Sequence, residues 1–412
     1  MWRILLPCLL IVCLFQSPIQ ANSIAEPQVA FVRDGNLWIK QGEREQQLTA
    51  QRGISYPQWS HDGKWLAYHK NKELWVYGLA SRKHVRIYAQ GENFQWSPNQ
   101  NLLAFQDESI LMLADFRKGG PPPVHPVALG IDSFSWTPTG TGFLASSSAR
   151  LLPDGWTNPL IYQISVNSTP EQPKLTRFYT LPHEVTKGDV TILSIGAGPF
   201  KWSADQRWIA FIVSPTASWS ADSNLLCLLS ADGKTFRPVG EMLRYPDWFK
   251  WNPDDAELAF IKGGGRMADS NKQLSIEKVP DGSIHPVSSA KSADGNFTWS
   301  SPRQLVVSRF LDRTTAALYI VTVGRQETAR LFTHPPAGTR DDYPVYLPQS
   351  NQIGWVRTSQ NQSTVFLANP DVDTPRPYLS QLDFPDEYYG HRDWRQVLSW
   401  RSAAPPTKTK AR

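Results

Sequence analysis

"YPQWSHDGKWLAY", Tyr56 to Tyr68, packs three events into thirteen residues. A short strand ends at Trp59, a polar turn runs through Ser60, His61, Asp62 and Gly63, and an apolar run restarts at Trp65. Asp-Gly between two such runs is a chain-reversal signal. Taken alone, His61 and Asp62 beside an aromatic would also pass for a site.

The stretch recurs, and the recurrence decides the fold. It returns as "NFQWSPNQNLLAF" at Trp96, "SFSWTPTGTGFLAS" at Trp136, "PFKWSADQRWIAF" at Trp202, "WFKWNPDDAELAF" at Trp251 and "NFTWSSPRQLVVS" at Trp299. In "YPVYLPQSNQIGWV" a Tyr, Tyr346, takes the Trp place; the spacings are 37, 40, 66, 49, 48 and 47 residues. After each aromatic come a second strand, a third such as "ELWVYGL" and a fourth such as "HVRIYA". Four short strands in about 40–50 residues make one β-propeller blade. The runs are β-branched or aromatic with no 3.6-residue period, which excludes a solenoid of helix pairs. The repeat resembles that of TolB-type proteins, which is similar to the propellers attached to prolyl oligopeptidase-type enzymes. The resemblance covers nearly the whole chain after residue 25 and implies a fold more than a function.

The chain ends supply the last unit. "VAFVRDGNLWIKQGEREQQLT", from Val29, matches strands two to four with no preceding aromatic turn, and "QVLSWRS" carries Trp400 in the repeat position. Pairing the two predicts an all-β propeller of eight four-stranded blades closed by its termini, with seven blades as the alternative. TolB itself has six, preceded by an α/β domain; entry into the repeat at Val29 argues against that domain and against transferring the TolB role.

Composition agrees with a folded, turn-rich chain: 412 residues, 41% hydrophobic, 33 prolines and 26 glycines. "ILLPCLLIVCLF", residues 4–15, behind Arg3 reads as an export signal within 1–25, too short for a comfortable membrane span. The propeller is expected over 26–402 and a disordered basic tail over 403–412. Cys8 and Cys13 fall in the signal, leaving Cys227 with no disulfide partner. The net charge of +5 is too diffuse for a nucleic-acid patch, although Lys408, Lys410 and Arg412 offer weak attraction to anionic surfaces.

Equivalent aromatics at one point of every blade are what packing requires, so the repeated Trp residues are expected between blades. Function is sought where the blades differ. The links from strand two to three, and from strand four to the next blade, open on one face. Four are long: 148–159, 181–198, 214–224 and 262–272. They carry Arg150, Asp154, Trp156, His183, Glu184, Asp189, Trp219, Asp222, Arg266 and Asp269, a mixed-charge surface suited to a protein, cell-envelope component or glycan. No G-x-S-x-G elbow occurs. The eight histidines lack metal spacing, and the pairs Asp254–Asp255, Asp341–Asp342 and Asp371–Asp373 read as turn or surface acids. No catalytic residue, metal or cofactor is assigned. The expectation is a secreted or periplasmic monomeric propeller that binds a partner without catalysis; the alternative is a secreted hydrolase or lyase acting on a polysaccharide.

Overall fold

Each aromatic-turn-strand motif folds into the first hairpin of a four-stranded antiparallel sheet. In the founding copy Ile54–Trp59 pairs with Trp65–Lys70, followed outward by Glu73–Gly78 and Lys83–Tyr88. The sheets are named below by their repeat aromatic. The computed structural model describes residues 26–118, 120–289, 293–324, 328–371 and 374–401. The signal, the basic tail with Lys408, Lys410 and Arg412, and Asp373 lie outside them.

Six four-stranded sheets and one eight-stranded sheet follow in chain order. The eight-stranded one is two such units, carrying Trp299 and Tyr346, joined through a single parallel bridge between Ala316 and Arg340. In the Trp400 sheet, Leu398–Trp400 pairs with Gln28–Arg33, with Val29 opposite Trp400, Ala30 opposite Ser399 and Phe31 opposite Leu398. The predicted pairing of the two chain ends is therefore present. Cys227 is buried and free, and burial raises its thiol well above the ordinary value.

The repeated Trp residues lie between neighbouring sheets, as expected, and they also tie them. The indole N–H of Trp96 donates to Gln58 O (3.1 Å), that of Trp136 to Gln95 O (3.1 Å) and that of Trp59 to Ser399 O (3.0 Å). Trp251 reaches Lys201 O (2.8 Å) and Trp299 reaches Lys250 O (3.2 Å). Every acceptor is the residue just before the repeat aromatic of the preceding sheet. Because side chains alternate along a strand, that residue points away from the wedge its Trp fills.

A second series of bonds runs the opposite way round. Gln95 Nε2 donates to Phe134 O (3.1 Å), Lys201 Nζ to Phe249 O (2.9 Å) and Lys250 Nζ to Phe297 O (2.5 Å). Each acceptor lies two residues before the next repeat aromatic. Three residues before the aromatic, Tyr56, Asn93 and Tyr343 adopt positive φ (53°, 48° and 55°) beside a register shift, so the first strand bulges at the same place in three sheets.

The long links occupy the positions the register assigns. The hairpin Leu151–Leu152/Gly155–Trp156 and the short helix Ala217–Ser220 lie in two-to-three links, as does 263–272. The hairpin Glu184–Lys187/Val190–Leu193 joins strand four of one sheet to strand one of the next. A further link of that kind, 381–397, runs from Arg376–Ser380 to Leu398–Trp400 and contains the hairpin Glu387–Tyr388/His391–Arg392. No helix among the described residues is long and apolar enough to cross a membrane.

Candidate functional site

Of the residues the sequence singled out, Asp222, Arg266 and Asp269 come together. Arg266 Nε donates to Asp222 Oδ1 at 2.8 Å and its Nη2 to Asp222 Oδ2 at 2.5 Å. The guanidinium also lies over the Tyr389 ring, 5.3 Å from its centroid, and Ala268 N donates to Tyr389 O (2.8 Å). Gly390, at φ 87°, passes close to Asp269.

Arg150 and Trp156 belong to the short 151–156 hairpin, where Thr157 N donates to Arg150 O; Asp154 is exposed at its tip. His183, Glu184 and Asp189 belong to the neighbouring hairpin, which is anchored through buried Val185 and Ile192. Ala149 N to Ile195 O (2.8 Å) joins the bases of the two hairpins. Trp219 is 44% exposed on its helix, and no hydrogen bond or ring contact joins it to Trp156. The 263–272 link is wound around a residue the sequence reading passed over: Lys272 Nζ donates to Gly264 O, Gly265 O and Ser270 O at 2.9–3.0 Å. Burial pushes this ammonium down to about 8.

The larger concavity is elsewhere. A cavity of about 910 Å³ is lined by the first strands of the Trp59, Trp96, Trp136 and Trp202 sheets and by Pro246, Asp247, Asp393 and Arg395. Gln58, Gln95, Ser135 and Lys201, each the residue before its repeat aromatic, all face it. Rings of Tyr56, Phe94, Trp96, Trp136 and Trp202 and the amides of Asn71, Asn93 and Gln106 complete much of the wall. The Trp202 indole N–H has no partner among the described residues and so does not join the lacing described above.

Charge in the cavity is concentrated on one side. Arg395 Nε lies 3.1 Å from Asp247 Oδ2 and 2.7 Å from Asp393 Oδ1, and Nη2 donates to Asp393 Oδ2 at 2.9 Å. Burial raises the Asp247 carboxyl, but Arg395, Lys250 and Lys201 outweigh it and hold the group below its ordinary value. Lys201 Nζ donates to Pro246 O as well as Phe249 O and sits 4.2 Å from the Phe249 ring centroid. Burial, reinforced by Lys250 and Arg395 and opposed by Asp247, brings this amine down to about 7. A neutral amine spends its two N–H bonds on the two carbonyls and keeps a lone pair for accepting a proton. With Lys201 unprotonated, the lining holds two cations (Lys72, Arg395) and three carboxylates (Glu92, Asp247, Asp393). No cluster of His, Cys, Asp and Glu among the described residues could hold a metal ion.

This architecture is similar to that of several solved enzymes. A prolyl endopeptidase aligns at TM-score 0.52 and 13% identity, over 81% of this chain and 50% of that one. The dihydro-heme d1 dehydrogenase NirN, solved in complex with DHE, aligns at TM-score 0.57 and 11% identity, over 87% and 73%. A puromycin hydrolase aligns at TM-score 0.50 and 10% identity, over 80% and 54%. This chain thus spans about half the length of the two hydrolytic enzymes. No family model and no curated protein matches the sequence.

These neighbours share the fold, and the TolB-type kinship read from the repeat has no family match beside it. They also correct the functional expectation. A non-catalytic scaffold binding protein or envelope components through its long loops finds no counterpart among them, since all three are enzymes. The physical reason for the misreading is that loop length was taken as the only sign of elaboration. The polar groups that converge here stand partly on the strands, at the inward positions of Gln58, Gln95, Ser135 and Lys201, and partly on links outside the four that were singled out, at Asp247, Asp393 and Arg395.

Proposed function

We propose that the four-stranded units form an eight-bladed propeller, closed by the pairing of Gln28–Arg33 with Leu398–Trp400, and that this propeller is an enzyme acting in its 910 Å³ cavity. The observation that carries the reading is Lys201, an amine titrating near neutrality on the wall of a pocket with the volume of a small-ligand site. Its role is general base. With Lys201 unprotonated the lining carries one more carboxylate than cations and gives no pull on an anionic substrate, which disfavours an anionic polysaccharide. The side-chain amides of Gln58 and Asn71 can donate to and accept from peptide groups, while Asn93, Gln95 and Gln106 already spend N–H bonds within the wall, and the rings offer stacking surfaces. The substrate class is therefore a neutral, amide-bearing, peptide-like molecule, in keeping with the peptidase among the structural neighbours. The apolar run at 4–15 supports export to the periplasm or beyond, and TolB-type ancestry rests on the repeat alone.

The test is turnover of a neutral peptide library followed by mass spectrometry, with wild type beside Lys201→Met and Lys201→Arg. A base must be unprotonated to act, so the rate should climb as pH rises through about 7. Lys201→Met should cut kcat by about 10²–10⁴-fold while the protein stays folded. No turnover of any library member, or full activity in Lys201→Met, would overturn the assignment.

A further inference from the structure

The stretch from His391 to Arg395 has two sides. Asp393 and Arg395 line the large cavity, whereas His391, Arg392 and Trp394 line a second one of about 30 Å³, walled also by Trp248, Asn296 and Asp342. Four side chains around this small chamber carry a buried polar atom with no hydrogen-bond partner among the described residues: Trp248 Nε1, Trp394 Nε1, Asn296 Oδ1 and His391 Nε2. The two Trp residues are 1% exposed and Asn296 is 3% exposed. Buried polar groups in folded proteins are nearly always paired, so four orphans around one small space call for a common partner.

Their chemistry defines that partner. Both indoles can only donate. Asn296 Oδ1 can only accept, and its amide nitrogen is already spent on Asp342 Oδ1 (3.0 Å) and Oδ2 (3.2 Å). His391 Nε2 accepts when the ring proton sits on Nδ1. Two donors and two acceptors are matched by a neutral molecule with two lone pairs and two hydrogens. An anion would meet Asn296 Oδ1 and the Asp342 carboxylate, with the lining Arg340 and Arg392 already facing Glu387, and a cation would meet the indole N–H groups. A water needs at least about 10–15 Å³ and two to four polar partners, and this chamber provides both.

We propose that the chamber is a binding site for one internal water, which joins His391 and Trp394 of the 381–397 link to Trp248 in the turn before strand Phe249–Trp251 and to Asn296 of the Trp299 sheet. The same stretch carries Asp393 and Arg395, so the water helps hold the charged side of the large cavity in place. This inference does not depend on what that cavity does.

A crystal structure at about 1.5 Å, with a bromide-soaked crystal alongside, tests the site. One water peak within hydrogen-bond reach of the four atoms, and no anomalous bromide signal there, is the expected result. Thermal unfolding of Trp394→Phe and Trp355→Phe supplies the energetic check. Trp355 Nε1 is also buried without a partner but lies outside the chamber, so the two changes delete the same atoms and differ in the water contact. Trp394→Phe should lower Tm further than Trp355→Phe, by about 1–3 °C. Clear density with nothing bound, a bromide peak, or a loss in Trp394→Phe no larger than in Trp355→Phe would each overturn the proposal.

Discussion

In the Trp59, Trp96 and Trp136 sheets the residue before the aromatic is Gln58, Gln95 or Ser135; in the Trp202 and Trp251 sheets it is Lys201 or Lys250. All five stand at the same point of the repeat. Gln95, Lys201 and Lys250 even make the same bond, to the carbonyl two residues before the next aromatic. Gln58, Gln95, Ser135 and Lys201 all line the large cavity. On the lysine side Pro246, Asp247, Asp393 and Arg395 join that wall, and His391 of the same last link lines the small chamber. A charge placed at an inward repeat position has to be compensated, and the anion that acts most on both lysines, Asp247, stands outside the strands. The compensation comes from links outside them, which is how one half of a repetitive wall acquires a site.

The charged half can be broken most severely in the Tyr346 sheet. Asp341 is fully buried and takes two bonds from Arg357, at 2.6 and 2.7 Å, and Asp294 and Arg309 repeat the pair in the Trp299 sheet at 2.7 Å. Arg357→Leu strands a buried carboxylate and should cost about 3–5 kcal/mol in denaturant unfolding. A neutral change at the equivalent depth of the neutral half, such as Gln95→Leu, should cost far less.

Converting the halves into each other tests the role of charge more gently. The folded Lys201 amine titrates near 7, below its ordinary value of 10.5, so between these values the unfolded chain holds a proton that the native chain lacks. Wild-type stability should therefore rise with pH across that window and be lowest below about 7, whereas Lys201→Gln should lose this slope. Parallel pH profiles for the two proteins would reject the buried-amine account.

The inter-sheet lacing predicts a smaller contrast. Trp251→Phe removes a bond to Lys201 O and should cost about 1 kcal/mol more than Trp202→Phe, whose indole N–H has no partner to lose. Equal losses would mean that the indoles contribute packing alone. The smallest effect is expected at the turn, where Lys64 and Asp62 form an exposed pair at 3.2 Å; Lys64→Ala should change stability by less than about 0.5 kcal/mol.

Much of this was legible beforehand. The repeat aromatics gave the order of the four-stranded units, the position of four long links and the pairing of the two chain ends. Lys201 and Lys250 could have been found from the same register, since the residue before a wedge-filling Trp must face the other way. The 381–397 link is equally open to inspection: "QLDFPDEYYGHRDWRQ" is a strand-four link of the same kind as 181–198, and it is missing from the four long links named from the sequence. Asn296, which looks like a glycosylation sequon, is 3% exposed and bonded to Asp342, a fact its local sequence does not carry.

By itself, then, the sequence determined the local plan: Trp59 ends a strand, and Asp62 turns the chain, its Oδ1 accepting from Ser60 Oγ and Lys64 N. These are interactions between residues a few positions apart, and periodic patterning encodes them directly. Only the tertiary structure decided that Lys201, Asp247, Asp393 and Arg395 share one cavity wall. They lie up to nearly two hundred residues apart and meet because the last link folds back among the first strands. Long-range electrostatic compensation of that kind depends on distance in space, which spacing along the chain does not record.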